Sequence, residues 1–183
     1  MGLYSAFDAA YPPGTPYPGA QAVMGYIGGN TPHIWTAAEW QRFSHLVQFP
    51  IWVGYQEADP ATHGSQAVAA MTALGWAEHR PNRRAVIIDE ETEVDDAWLN
   101  AFASVIWAAG YETYVYGSQS TVIDMPPKEG RVIALYNGTQ DIPAGEAAVA
   151  HQYRANVPWD GTQVDLSMVT SDMMAHGGIG PRK

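Results

Sequence analysis

Short apolar runs alternate with polar, glycine-rich and proline-rich segments along the whole chain. Eight of the runs have the length and the β-branched or aromatic content of buried strands. They cover residues 3–7, 22–27, 49–53, 85–88, 113–116, 131–136, 148–153 and 163–166. Because most of them are apolar at successive positions, they predict strands that are covered on both faces.

Helical patterns lie between the earlier strands. Thr36 and Glu39 have the spacing of a capping box, which predicts a helix that begins at about residue 37. A second helix is expected at about residues 64–73. The strongest pattern is an apolar stripe at residues 95–109, which predicts a helix with one buried face.

This order of elements predicts the fold. Strands that alternate with helices favour a parallel sheet covered by helices, and after residue 123 the helical patterns fade. Eight strands in 183 residues leave too few residues for a complete (β/α)8 barrel of roughly 250 residues. We therefore expect a single domain over residues 1–183, an α/β fold built as a trimmed TIM-like barrel with eight strands and reduced late helices.

Charge and composition exclude several classes of function. The 9 Lys and Arg against 19 Asp and Glu give a net charge of −10, which repels nucleic-acid phosphates. The chain has no cysteine, so thiolate zinc sites and cysteine nucleophiles are excluded. The six histidines lack metal-binding spacing and no loop is dense in ligands for Mg²⁺ or Ca²⁺, so we expect no metal and no other cofactor.

The ends of the predicted strands share one kind of chemistry. In a barrel of parallel strands the carboxyl ends of the strands meet at one mouth. Here those positions carry carboxylates, an amide or tyrosines, which indicates a single pocket. The residues are Asp8, Tyr26, Tyr55, Asp89 with Glu91, Tyr116, Tyr136, Gln152 with Tyr153, and Asp165.

Asp89 and Glu91 are the sharpest candidates for catalysis. Side chains alternate along a strand, so both carboxyl groups point to the same face. Their repulsion, with Asp8 and Asp165 nearby, should keep at least one proton on the cluster near neutral pH, as a general acid requires. The run around Asp89 also fits the solvated acidic start of a helix, and Asp8 and Asp165 also fit turn or cap positions.

The same residues carry a resemblance to a known family. The motifs are Phe7-Asp8, Asp89-x-Glu91, Tyr114-Val115-Tyr116-Gly117-Ser118, Gln152-Tyr153 and Val164-Asp165-Leu166. Their order and spacing resemble those of glycoside hydrolase family 25 lysozymes. The chain resembles still more closely the glycoside-hydrolase-like DUF1906 group of actinobacteria and their phages. It departs from the lysozymes at His151, where they have Trp, and at Ser167, where they have Asn.

The resemblance implies a lysozyme-like glycoside hydrolase. Glu91 would be the proton donor, with Asp8, Asp89 and Asp165 as supporting carboxylates. The substrate would be the glycan strand of peptidoglycan or a related amino-sugar polymer. We expect the pocket's other polar residues to bind it, namely Tyr26, Tyr55, Tyr116, Tyr136, Gln152 and Tyr153.

A second hypothesis belongs to a different class of protein. The chain would be a non-catalytic glycan-binding or structural module, such as a phage virion component with other virion proteins as partners. No signal peptide and no membrane-spanning segment is evident, which fits a lysin exported by other means or a particle protein. Residue types alone do not separate the two hypotheses.

Overall fold

The computed structural model describes residues 2–76, 84–89, 95–118, 122, 130–134, 138–142 and 148–179. The strands in these ranges are β1 (Leu3–Asp8), β2 (Ala22–Gly29), β3 (Val47–Val53), β4 (Ala85–Asp89), β5 (Glu112–Ser118), β6 (Arg131–Ala134), β7 (Ala148–Trp159), β8 (Thr162–Thr170) and β9 (Gly178–Ile179). The helices are α1 (Ala37–Arg42), α2 (Pro60–Ala73), α3 (Asp96–Ala108) and α4 (Ser171–His176).

The first eight strands form a closed barrel. Each strand from β1 to β6 pairs in parallel with the next one along the chain. β8 closes the ring by pairing antiparallel with both β7 and β1. The predicted trimmed TIM-like α/β barrel of eight strands is confirmed. The expectation of parallel strands is wrong for β8, because β7 and β8 form a hairpin instead of a crossover.

The β7–β8 hairpin turns at Asp160 and Gly161. Both residues have positive φ, 45° and 83°, as a two-residue type I′ turn requires. Its tip is anchored on the loop that follows β1: the Trp159 indole donates to the Thr15 carbonyl at 3.1 Å, and the Thr15 hydroxyl donates to Asp160 Oδ2 at 2.8 Å. The hairpin therefore extends past the barrel wall and stays attached to it.

Alternation along the strands divides the apolar side chains into two layers. The inner layer fills the barrel, and its larger members are Met24, Phe49, Ile51, Ile87, Tyr114, Val132, Val169 and Met173. The outer layer lies between the strands and helices α1 to α3, and its larger members include Phe7, Trp35, Trp40, Phe43, Trp52, Met71, Trp98 and Phe102. The helices thus cover the outer faces of strands that are also buried inside.

The segment after β8 closes one end of the barrel. Thr170 pairs with Leu3, so α4 begins at the end where β1 starts, and its Met173 packs in the inner layer. Gly177 allows the chain to pass close to β3, because a Cβ there would lie 2.1 Å from Val47 Cγ1. The opposite end, where β1 to β7 terminate, is called the mouth below.

The helix boundaries follow their caps. The capping box of α1 is confirmed: Thr36 N–H donates to Glu39 Oε2 at 2.7 Å, and Glu39 N–H donates to Thr36 Oγ1 at 3.3 Å. α3 agrees with its apolar stripe. α2 begins at Pro60 instead of residue 64, because Asp59 caps it. Every helix in the described ranges is too short or too polar to span a membrane.

Truncating Phe102 to Ala should destabilise the protein. Phe102 is fully buried, and its ring stacks on that of Trp98 with the centroids 5.3 Å apart. We expect a loss of about 3 to 5 kcal/mol in the free energy of unfolding, since the substitution leaves a cavity, and a melting temperature lower by about 10 °C. Urea and thermal unfolding followed by circular dichroism measure both quantities.

Ser104→Ala is the matched control, because Ser104 lies on the exposed face of the same helix. It should change the stability by no more than about 0.5 kcal/mol. Equal stability of Phe102→Ala and the wild type would contradict the place of Phe102 in the outer layer.

Candidate active site

Three aspartates reach the mouth from three strands. Asp8 ends β1 and Asp89 ends β4, and both are buried, with exposed fractions of 6% and 4%. Asp165 lies within β8, directly opposite Asp8 in the antiparallel register. Each aspartate is an even number of positions from an inner-layer residue of its own strand, so all three side chains point inward. Those inner-layer residues are Ala6, Ile87 and Val169.

A chain of hydrogen bonds runs across the inner face of the mouth. The Tyr116 hydroxyl donates to Gln152 Oε1. The Gln152 amide in turn donates to Asp165 Oδ2 at 2.8 Å. Tyr116 on β5 is also the register partner of Asp89 on β4. The hydrogen-bonded chain therefore joins β5, β7 and β8, and its two ends are in register with Asp89 on β4 and Asp8 on β1.

A bulge in β7 completes the surroundings of Asp165. The pairing with β8 shifts register between Gln152 and Val157, so β7 carries extra residues there. Within the bulge Asn156 has a φ of 57°, a conformation that Asn adopts more readily than most residues. Its backbone N–H donates to Asp165 Oδ1 at 2.7 Å. Both oxygens of this carboxyl group thus have donors from β7.

Burial raises the pKa of Asp165 above its usual value of 3.8. The hydrogen bonds from the Asn156 N–H and the Gln152 amide favour the ionised form and offset part of the rise. The carboxyl group therefore keeps its proton to a higher pH than an exposed aspartate does.

The other predicted site residues do not all share the inward face: Tyr26, two positions beyond the inner-layer Met24, does, whereas Tyr55 and Tyr153 do not. Tyr26 on β2 is half-buried and packs against both apolar layers. Tyr55 is exposed in the loop after β3, and its hydroxyl donates to Glu57 Oε2 at 2.5 Å, a bond that raises the pKa of the phenol. Tyr153 packs against the outer layer, so the structure does not bring it together with Gln152. Glu91 and Tyr136 lie outside the described residues.

The structure adds two polar groups to the residues that were predicted for the site. Asn156 supplies a backbone donor to Asp165. Ser167 is buried, two positions along β8 from Asp165, and its hydroxyl has no hydrogen-bond partner in the described part of the chain. No three His, Asp or Glu side chains of the described residues group closely enough to hold a metal ion.

The barrel has the fold of several solved proteins. An uncharacterised Bacillus stearothermophilus protein superposes with a TM-score of 0.72 at 15% identity, over 96% of this chain and 100% of that one. A family 25 glycosyl hydrolase from Bacillus anthracis gives a TM-score of 0.67 at 11% identity, over 94% and 92%. The CTP1L endolysin gives 0.63 at 13% identity, over 93% and 68%.

These likenesses extend the resemblance to family 25 from the motifs to the fold. No family model matches the sequence, and no curated protein sequence matches it either. The closer resemblance to the DUF1906 group stays a prediction.

Replacing Asp165 by Asn should change how stability depends on pH. Because burial raises the pKa of the folded carboxyl group above 3.8, the folded protein binds this proton more tightly than the unfolded chain does. The contribution of Asp165 is therefore greatest below pH 3.8 and is lost as the pH rises through the folded pKa. The free energy of unfolding of the wild type, relative to Asp165→Asn, should fall as the pH rises from below 3.8 toward neutrality.

Urea unfolding of both proteins over this pH range measures the difference. Asp172→Asn serves as control, since Asp172 is exposed on α4 at the other end of the barrel. A difference between the wild type and Asp165→Asn that stays constant or grows with pH would contradict the raised pKa.

Proposed function

We propose that the chain is a glycoside hydrolase that cleaves the glycan strands of peptidoglycan, with Glu91 as the general acid. The observation that carries the proposal is the convergence of Asp8, Asp89 and Asp165 on the inner face of one mouth. Glycoside hydrolases generally cleave the glycosidic bond with carboxyl groups that face one cleft. The family 25 glycosyl hydrolase and the endolysin that share the fold support this substrate class.

The reaction needs an acid that protonates the leaving group and carboxylates that stabilise the positive charge on the sugar ring. Glu91 protonates the glycosidic oxygen as the bond to the leaving sugar breaks. The positive charge that develops on the ring is stabilised by a carboxylate of the cluster, while the others position water or the acetamido group. Asp89 is the register partner of Tyr116 on the neighbouring strand, which supports adjacent catalytic and substrate-binding roles for these two residues.

One observation favours a second candidate function. Gln152 and Asp165 are satisfied within the protein, because the amide bonds Tyr116 and Asp165 while both carboxyl oxygens have donors. A network of this kind can serve only to hold the inner face of the mouth in place, and that role needs no substrate. The alternative is therefore a non-catalytic glycan-binding or structural module, such as a virion component, with the same barrel.

Glu91→Gln should abolish hydrolysis and leave folding and glycan binding intact. Glutamine keeps the shape of the side chain but has no acidic proton to donate, so the rate should fall by at least about 100-fold. Zymography and the loss of turbidity of purified cell walls measure the activity. Asp172→Asn, at the opposite end of the barrel, should remain as active as the wild type.

Unchanged activity of Glu91→Gln would remove Glu91 from the mechanism. A wild type that binds cell walls without hydrolysing them would favour the non-catalytic alternative.

Asp89→Asn should lower the apparent pKa of the general acid. Removing one nearby negative charge makes the acid easier to deprotonate, so the basic limb of the pH–activity profile should move to lower pH. The profile on cell walls is compared for the wild type, Asp89→Asn and Asp172→Asn. A basic limb that stays fixed or moves upward in Asp89→Asn would contradict a pocket shared by the two carboxyl groups.

A further inference from the structure

We propose that Tyr11, stacked on His33 beside the mouth, is a saccharide-binding platform that extends the candidate site along the glycan strand. This inference rests on the proposed function for the class of its ligand. Tyr11 lies three residues beyond Asp8, in the loop that follows β1, and 53% of it is exposed. Loops that follow the parallel strands surround the mouth, so a strand bound there can reach this ring.

The tyrosine ring has a fixed support. Its centroid lies 5.2 Å from that of His33, and the two rings are nearly parallel, at 21°. His33 Nε2 is 3.2 Å from each carboxylate oxygen of Glu39, and Glu39 belongs to the capping box of α1 with Thr36. The Tyr11 ring is therefore held by His33, which is itself bound to Glu39 of helix α1. An aromatic surface held in this way loses little conformational entropy when a ligand binds.

The two loops that carry the stack are tied to each other. The buried indole of Trp35 donates to the carbonyl of Ala9 at 3.1 Å, which joins the loop after β2 to the loop after β1. The Trp35 backbone N–H donates to the Tyr26 carbonyl at 2.9 Å. The distance between the platform and the end of β1 is therefore set by the fold.

The chemistry of the exposed surface suits a pyranose ring. Tyr11 offers an aromatic face, and its hydroxyl makes no hydrogen bond to any described residue. Ile34, next to His33, is also 53% exposed and adds apolar surface. A sugar ring has an apolar face of C–H groups for stacking and hydroxyls at its edge for hydrogen bonding, so it matches a side chain with an apolar body and a polar tip. We therefore assign the platform to a β-1,4-linked amino-sugar chain.

Binding of chitotetraose, a neutral β-1,4-linked tetramer of N-acetylglucosamine, tests the platform. Isothermal titration with the full chain should give an affinity that is about three- to tenfold weaker for Tyr11→Ala, from the loss of the aromatic stacking. His33→Ala should also weaken binding, because the ring loses its support. Tyr11→Phe keeps the stacking face and should retain most of the affinity. Leu3→Ala, an exposed position at the other end of the barrel, should bind like the wild type.

The outcomes separate this inference from the proposed function. Wild-type affinity in Tyr11→Ala would overturn the platform even if the protein hydrolyses cell walls, and so would a wild type that does not bind chitotetraose. Weakened binding in Tyr11→Ala, with Tyr11→Phe close to the wild type, would support the platform even if no hydrolysis is found. Equal melting temperatures of these variants confirm that the effect lies in binding.

Discussion

The antiparallel pairing of β8 with both β7 and β1 is the interaction on which the barrel depends. A parallel eighth strand would need another crossover of a dozen or more residues, whereas a hairpin needs two. Asp160 and Gly161 provide that turn. Because β8 then runs back to the end where β1 starts, the chain continues directly into α4, and Met173 fills the inner layer there. The reversal of chain direction between β7 and β8 therefore both closes the barrel and places α4 over one of its ends.

The same reversal decides where Asp165 lies. On the parallel strands, a residue lies at the mouth if it is at the carboxyl end of its strand. On the antiparallel strand β8, the position of a residue along the barrel axis depends on the register with its neighbours alone. Asp165 reaches the mouth because it pairs with Asp8, and a slip of one residue would turn its side chain outward. The bulge that accommodates the pairing also places the Asn156 N–H on the carboxylate. Strand register and the electrostatics of Asp165 are thus set together.

The strands and α3 could be predicted because burial leaves a pattern in the sequence that does not depend on which elements pack together. Strand direction leaves no such pattern, since an apolar run reads the same either way, and the usable signal for β8 was the Asp160-Gly161 turn. For the site, the sequence predicted the inward aspartates but could not show that Asp165 arrives by register instead of by strand end. It also grouped Gln152 with Tyr153, although neighbouring strand residues point to opposite faces.

Negative charge works against the stability of the fold, whereas the apolar side chains of the outer layer stabilise it. A net charge of −10 destabilises the compact state of the chain through self-repulsion. Burial of apolar side chains compensates for this repulsion. Trp35 links the outer layer to the mouth: its ring centroid lies 4.9 Å from that of Trp40. Its indole N–H donates to the carbonyl of Ala9, the residue after Asp8. The packing that stabilises the fold therefore also fixes the end of β1 and the loop that carries the exposed Tyr11. A substitution that loosens this layer would disturb the mouth without touching any of its polar residues.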